Sequence, residues 1–128
     1  MRISLLIVLI ALIAVGGASY TFVRNKELRN AELEKYTYSS EALGLLIRPA
    51  HTHGELIKEG KMLHHCVGGY ASDHADGKTT IFFIRHIEKP NIPFFTLEYR
   101  NGKVNQNRGD RNCARTEDVI AFEAEWLN

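Results

Sequence analysis

Residues 93–108 read PFFTLEYRNGKVNQNR. Asn101-Gly102 is a strong hairpin signal, because both residue types tolerate the positive φ of a type I′ turn. With that turn Arg100 faces Lys103, and the pairs run Tyr99–Val104, Glu98–Asn105, Leu97–Gln106 and Thr96–Asn107. Side chains alternate along a strand. Phe95, Leu97, Tyr99 and Val104 therefore share a core-facing side. Thr96, Glu98, Asn105 and Asn107 share the polar side, with Gln106 and Arg108 close by. A carboxylate among amides and a guanidinium can bind a polar ligand or serve as acid or base. The plainer reading is a face open to solvent or hydrogen-bonded to a covering helix.

Working outward, Glu88-Lys89-Pro90-Asn91 is a turn that joins the hairpin to residues 79–87, TTIFFIRHI. That run is β-branched and aromatic, apolar on both faces in its middle, and fits a central strand. Before it the period becomes helical. Thr52-His53-Gly54-Glu55 fits a capping box, and Leu56, Ile57, Gly60 and Leu63 are spaced for one buried face. The helix should stop between His64 and Gly69, where Gly68-Gly69 discourages continuation. Residues 70–75 suit a second short helix, closed by Asp76-Gly77. After the loop at residues 109–113, Thr116 can cap a last helix with Val119, Phe122 and Trp126 at helical spacing. The predicted fold class is α+β: a small domain with helices packed on a three-stranded antiparallel sheet.

The chain has 128 residues, room for one small domain. Its 16 basic and 15 acidic side chains leave a formal charge of +1, which argues against attachment to nucleic acid mainly by bulk charge and leaves a local basic patch open. Cys66 and Cys113 lie too far apart in sequence for a disulfide framework or a paired CxxC zinc module. The N-terminus is different in kind. From Ile3 to Val23 there is no charged residue, and about 20 apolar residues suffice to span a bilayer. The expectation is a membrane-type helix over residues 1–23, contacting the membrane through residues 3–23. Arg24, Lys26 and Arg29 follow it, which places the C-terminal domain in the cytoplasm. The alternative is a signal peptide with a small-residue site at Gly16-Gly17-Ala18, and secretion after cleavage. Residues 24–40 read as a charged helical linker, broken at residues 36–40, and residues 41–128 as the folded domain.

Chemistry concentrates in residues 63–70, LHHCVGGY. A cysteine attacks well when a cation or helix N-terminus lowers its pKa, and His64 or His65 could serve Cys66 as base. The amides of Val67, Gly68 and Gly69 could donate to an oxyanion. Against this, neighbouring side chains in a helix diverge by about 100°, so His65 and Cys66 face each other only if the chain turns there. The structural alternative is a small buried cysteine at a tight turn. A zinc site from His64 or His65 with Cys66 and Cys113 lacks the i, i+4 histidines or CxxC knuckle of known sites, so no metal and no cofactor is expected.

Residues 59–70, EGKMLHHCVGGY, resemble the signature of PcfJ-like proteins. Further runs are similar in order: residues 77–85 (GKTTIFFIR), 93–98 (PFFTLE), 104–112 (VNQNRGDRN) and the closing helix at 119–126. The resemblance covers roughly residues 45–126. It implies a protein of conjugative plasmids, phages and related mobile elements. Its motif residues fall here on His65, Cys66, Val67, Gly68 and Tyr70, then Glu98, Gln106, Arg108, Gly109 and Asn112. The expected site has Cys66, His65 and Glu98 as catalytic candidates, and Gly68, Gly69, Tyr70, Gln106, Arg108 and Asn112 as binding residues. Two function classes follow. One is an accessory protein binding a protein or nucleic-acid partner. The other is a thiol-dependent hydrolase or transferase using Cys66.

Overall fold

A computed structural model describes residues 29–128 of the chain. The membrane-type helix expected over residues 1–23 lies outside the described residues. Among the described residues no helix is long and apolar enough to cross a membrane. The described residues up to Leu33 fall in one unit and Glu34–Asn128 form the other, compact one; residues 29–34 are helical.

The second unit is built on five antiparallel strands, not three: β1 (Tyr38–Ser40), β2 (Leu45–Pro49), β3 (Thr80–His86), β4 (Phe95–Arg100) and β5 (Lys103–Arg108), in the spatial order of the sequence. The two additional strands come from a stretch read as linker and a short apolar run. Leu45, Ile47 and Pro49 are buried while Leu46 and Arg48 are half-buried. That alternation is too brief to announce a strand until β3 pairs with it, Ile47 against Ile84.

Between β2 and β3 lie helix α1 (His53–Leu63), a 3₁₀ turn (Val67–Tyr70) and the short α2 (Ala71–Ala75). Thr52 caps α1 as expected: its backbone is extended and its Oγ1 accepts from the Glu55 N–H at 3.1 Å. Glu55 reaches back to the N–H of His51, also at 3.1 Å. The helix ends at His64, which takes the left-handed conformation (φ 54°). That place normally goes to glycine or asparagine. The neighbouring glycines serve another purpose. A Cβ on Gly60 would stand 2.9 Å from the His65 carbonyl oxygen, so its absence lets the 64–68 turn fold back on α1.

Helices cover both faces of the sheet. On one side Leu45, Ile47, Phe82, Ile84, Phe95 and Leu97 pack on Val119 and Phe122 of α3 (Glu117–Leu127). On the other, Ile81 and Phe83 pack on Ala50, Leu56, Val67 and Ala71. The double-sided apolar run of β3 thus feeds two cores. His74 of α2 locks the second one. Its Nδ1 accepts from the Ile81 N–H at 3.0 Å, and its Nε2 lies 2.9 Å from the Ala50 carbonyl.

The hairpin register differs from the sequence expectation. Arg100–Lys103 and Tyr99–Val104 pair as predicted, but a bulge follows between Glu98 and Tyr99. Beyond it Glu98 faces Gln106, Leu97 faces Asn107 and Thr96 faces Arg108. Asn105 is the extra residue. A one-residue shift sends each later side chain to the opposite face. Gln106 and Arg108 therefore join Glu98 on the α1 side. Asn107 moves to the α3 side, where its Nδ2 donates to Glu123 at 3.0 Å.

Candidate functional site

The bulge and the glycine-permitted turn create one cavity between the end of α1 and the β4–β5 hairpin. Its volume is about 250 Å³, and its walls include His65, Cys66, Tyr70, Glu98, Gln106 and Arg108. His64, Val67, Ile81, Thr96 and Asn112 complete it. The cavity is small beside the roughly 300–1,000 Å³ of drug-sized sites, so it suits a side-chain-sized group.

Glu98 is the cavity's buried acid, with 2% exposure. Its Oε2 accepts from the Thr79 hydroxyl at 2.6 Å. Its Oε1 accepts from the Asn105 amide at 2.7 Å and from the Gln106 amide at 3.3 Å. Gln106 also donates to the Tyr70 hydroxyl at 3.3 Å, which ties the 3₁₀ turn to β5. Every donor to Glu98 is neutral. The bulge residue Asn105 is therefore one of the side chains that hold the acid in place.

His65 is half-buried and belongs to a separate chain of bonds. Its Nε2 lies 3.2 Å from Thr96 Oγ1, which donates to Glu59 at 2.7 Å. The Val67 N–H points to His65 Nδ1 at 3.4 Å. These partners are consistent only with a proton on Nε2 and a free pair on Nδ1. Burial lowers the His65 pKa below the ordinary histidine value; the charges of Glu59 and Asp110 oppose that shift without reversing it.

Glu59 closes the network. It is 1% exposed and accepts from both terminal nitrogens of Arg85, at 3.0 Å and 2.5 Å. The Arg85 guanidinium also lies 4.7 Å from the centre of the Phe83 ring. Sequence reasoning did not assign either residue to the site. The available signal was positional: Glu59 falls on the buried face with Leu56 and Leu63, and Arg85 shares a strand face with Ile81 and Phe83. Opposite charges on two apolar faces that must pack together are expected to pair.

Cys66 is a free thiol, exposed, and lines the cavity. This corrects the reading of Cys66 as a buried packing residue. The imidazole beside it is engaged elsewhere, with one nitrogen on Thr96 and the other on the Val67 amide. The amides proposed for an oxyanion are also spoken for in part: Val67 N–H points to His65, and Gly69 N–H donates to the Cys66 carbonyl at 3.0 Å. Gly68 and Gly69 do not line the cavity. Gly68 backs onto α1, where an added Cβ would meet Ile57 at 3.3 Å, and Gly69 faces open space.

At the mouth, His64 Nδ1 lies 3.0 Å from Asp110 of the 3₁₀ turn Asp110–Asn112. That contact is the chief cause of the lowered Asp110 pKa. Asn112 on the same turn faces the cavity. Gly109 is required at the turn's base, because a Cβ there would sit 2.8 Å from the Phe95 ring. Among the described residues no group of three or more His, Cys, Asp or Glu side chains is placed to hold a metal ion.

The comparisons with known proteins agree with the sequence pattern. Over 74 residues the chain is 46% identical to the uncharacterized protein Lin1253/Lin1744 of Listeria innocua serovar 6a; the match covers 56% of this chain and 16% of that protein. The chain thus spans about a sixth of the length of the curated relative it matches. No solved structure matches it. The family model described as PcfJ-like protein matches residues 20–122, most of the chain, and the chain belongs to that family.

Proposed function

We propose that this chain is an accessory protein of a bacterial mobile element, whose PcfJ-like domain recognises a protein or nucleic-acid partner through the cavity. One observation carries the reading. The residues onto which the family's motifs fall lie far apart in sequence, yet all but Gly68 and Gly109 line this one cavity. The two exceptions are glycines whose added Cβ would crowd a neighbour. A set that served packing alone would not need its polar members gathered around a space.

Binding is favoured over thiol chemistry because no base is directed at Cys66. The thiol reading retains the exposure of Cys66 beside His65 and Glu98. Cys66→Ser separates the two: a binding domain keeps its partner, whereas a thiol-dependent hydrolase or transferase loses turnover of ester and thioester substrates. We further propose that residues 3–23 anchor the chain with its C-terminal domain in the cytoplasm. Retention in the membrane pellet after an alkaline carbonate wash is the expected result, and recovery of a shortened chain outside the cell would reverse it.

The binding reading is tested with the full chain against single-stranded and duplex DNA and RNA at two salt concentrations, and against candidate protein partners by titration. Arg108→Ala should weaken the productive complex at least ten-fold, and Lys58→Ala, on the exposed side of α1, should not. Contact with phosphates must weaken as salt rises; a protein partner need not follow that law. If Arg108→Ala and Tyr70→Ala, both folded, bind every partner as wild type does, the cavity is not the recognition site.

A further inference from the structure

Glu98 and Arg108 bring opposite charges to one cavity without meeting. Glu98 pairs across the ladder with Gln106, and Arg108 with Thr96. They are diagonal neighbours on one face, which places the two residues about 7–8 Å apart and their Cβ atoms somewhat closer. Among the described residues no Lys, Arg or His nitrogen lies within 4.0 Å of the Glu98 carboxylate, and the Arg108 side chain makes no hydrogen bond or ion pair. Buried charges are ordinarily paired, and Glu98 is 2% exposed. An ionised carboxylate offers about four acceptor positions. Thr79, Asn105 and Gln106 occupy three of them, so Oε2 retains one.

We infer that the cavity binds a compact zwitterion of amino-acid size, its ammonium on Glu98 and its carboxylate on Arg108. The proposal rests on reading the cavity as the binding site. An amine alone would supply the missing cation for Glu98 but leave Arg108 unmatched and repelled. A mononucleotide would bring a phosphate to Arg108 but only neutral donors to Glu98. A molecule carrying both charges satisfies both groups at once, and the α-amino acid spacing suits two long side chains converging from about 7–8 Å. The volume of about 250 Å³ agrees with so small a ligand. Val67 and Ile81 give the cavity an apolar part, where a ligand side chain can be buried. A free amino acid and a dipeptide share this chemistry, and the dipeptide serves to distinguish the two sources.

The test is calorimetric titration of the full chain with L-alanine, L-leucine, L-glutamine, glycylglycine, propylamine, propionate and GMP. At least one zwitterion should bind ten-fold or more tightly than either propylamine or propionate. Arg108→Ala should remove that advantage, and Glu98→Gln should do the same. If Glu98→Gln fails to fold, Arg108→Ala decides the question, since its side chain is exposed and makes no bond to lose. The inference is overturned if no zwitterion exceeds the single-charge probes, if the advantage survives Arg108→Ala, or if GMP binds most tightly. Loss of partner binding in Arg108→Ala without any zwitterion binding overturns this inference and leaves the proposed function standing. Wild-type partner binding by Arg108→Ala and Tyr70→Ala overturns the proposed function, and the titration then decides the zwitterion by itself.

Discussion

A carboxylate as deeply buried as Glu59 keeps its charge only where a cation and hydrogen bonds replace water. Arg85 supplies both, and Thr96 adds a third donor. Truncating one partner strands the other, so Glu59→Ala should cost about 3–5 kcal/mol in urea unfolding. Replacing the pair together, Glu59→Met with Arg85→Leu, should cost far less than the single change, because no charge is left behind. Wild-type stability in the double variant and a loss above 3 kcal/mol in the single one, each read to about 1 kcal/mol, would bear this out. His65 gives a pH signature at the same scale. Its folded pKa lies below the ordinary 6.5, so the unfolded chain binds its proton more readily. Its contribution to stability is fully present above that value and is lost as pH falls through the lowered folded pKa. The difference in unfolding free energy between wild type and His65→Gln should therefore shrink on acidification from pH 7.5 to pH 5.5. A constant difference would show that folded and unfolded chains take up the His65 proton alike, and that burial does not lower its pKa. Asp110, whose folded pKa is also lowered, contributes in the same direction below 3.8, outside the measured range.

Among the elements, the hairpin shows how far local signals reach. Asn101-Gly102 specified the turn and the first two pairs, since turn geometry acts on its immediate neighbours. The bulge at Asn105 depends on what the later residues meet: Gln106 must reach Glu98 and Tyr70, and Asn107 must reach Glu123. Tyr70 and Glu123 lie outside the hairpin, so the pattern of residues 93–108 alone did not announce it. The polar site residues were identified by type, while the face on which Gln106 and Arg108 stand was not. Deleting Asn105 removes the extra residue but keeps the pairs Glu98–Gln106, Leu97–Asn107 and Thr96–Arg108, so Gln106 and Arg108 stay on the cavity face. It should destabilise the domain in urea unfolding by about 1–3 kcal/mol, from the lost Asn105 bond to buried Glu98, and leave partner binding in place; loss of binding would show that the bulge itself shapes the site. The α1–turn junction supports a second contrast. Alanine is favoured over glycine inside a helix by up to about 1 kcal/mol. Gly60→Ala should nevertheless destabilise, by about 1–3 kcal/mol, because backbone atoms of His65 and Gly68 stand 2.9 Å and 3.2 Å from the new Cβ. Gly69→Ala meets nothing within 4 Å and should change thermal stability little. Equal melting temperatures for the two variants would contradict the close approach.

For the whole molecule, the question is where the folded unit begins. Composition placed the boundary at residue 41, because residues 36–40 are polar and break the helical period. Tertiary pairing moves the compact unit's start to Glu34. Strand β1 has only three residues, and two of them are exposed, so no sequence pattern could announce it. What fixes it is distant in the chain. The Trp126 Nε1–H donates to the Tyr36 carbonyl at 2.8 Å, and the Tyr38 hydroxyl donates to Glu125 at 2.7 Å. Tyr36 also stands edge-on to Phe82 with ring centres 6.3 Å apart, and Tyr38 lies 5.8 Å from Phe122. The first sheet edge and the last helix thus hold each other over the core that β3 shares. A chain beginning at Glu34 should keep the cooperative unfolding of residues 34–128. A chain beginning at Glu41 loses β1, uncovers the β2 edge and leaves the Trp126 indole without its acceptor. The lost Trp126 hydrogen bond at about 1 kcal/mol, with the two aromatic contacts at about 0.5–1.5 kcal/mol each, predicts a deficit of roughly 2–4 kcal/mol. For a domain of this size that lowers the melting temperature by more than about 10 °C. Indole fluorescence should report the change directly, since Trp126 is the chain's single tryptophan. Equal melting temperatures for the two chains would mean that β1 and its contacts add nothing, and would return the boundary to residue 41.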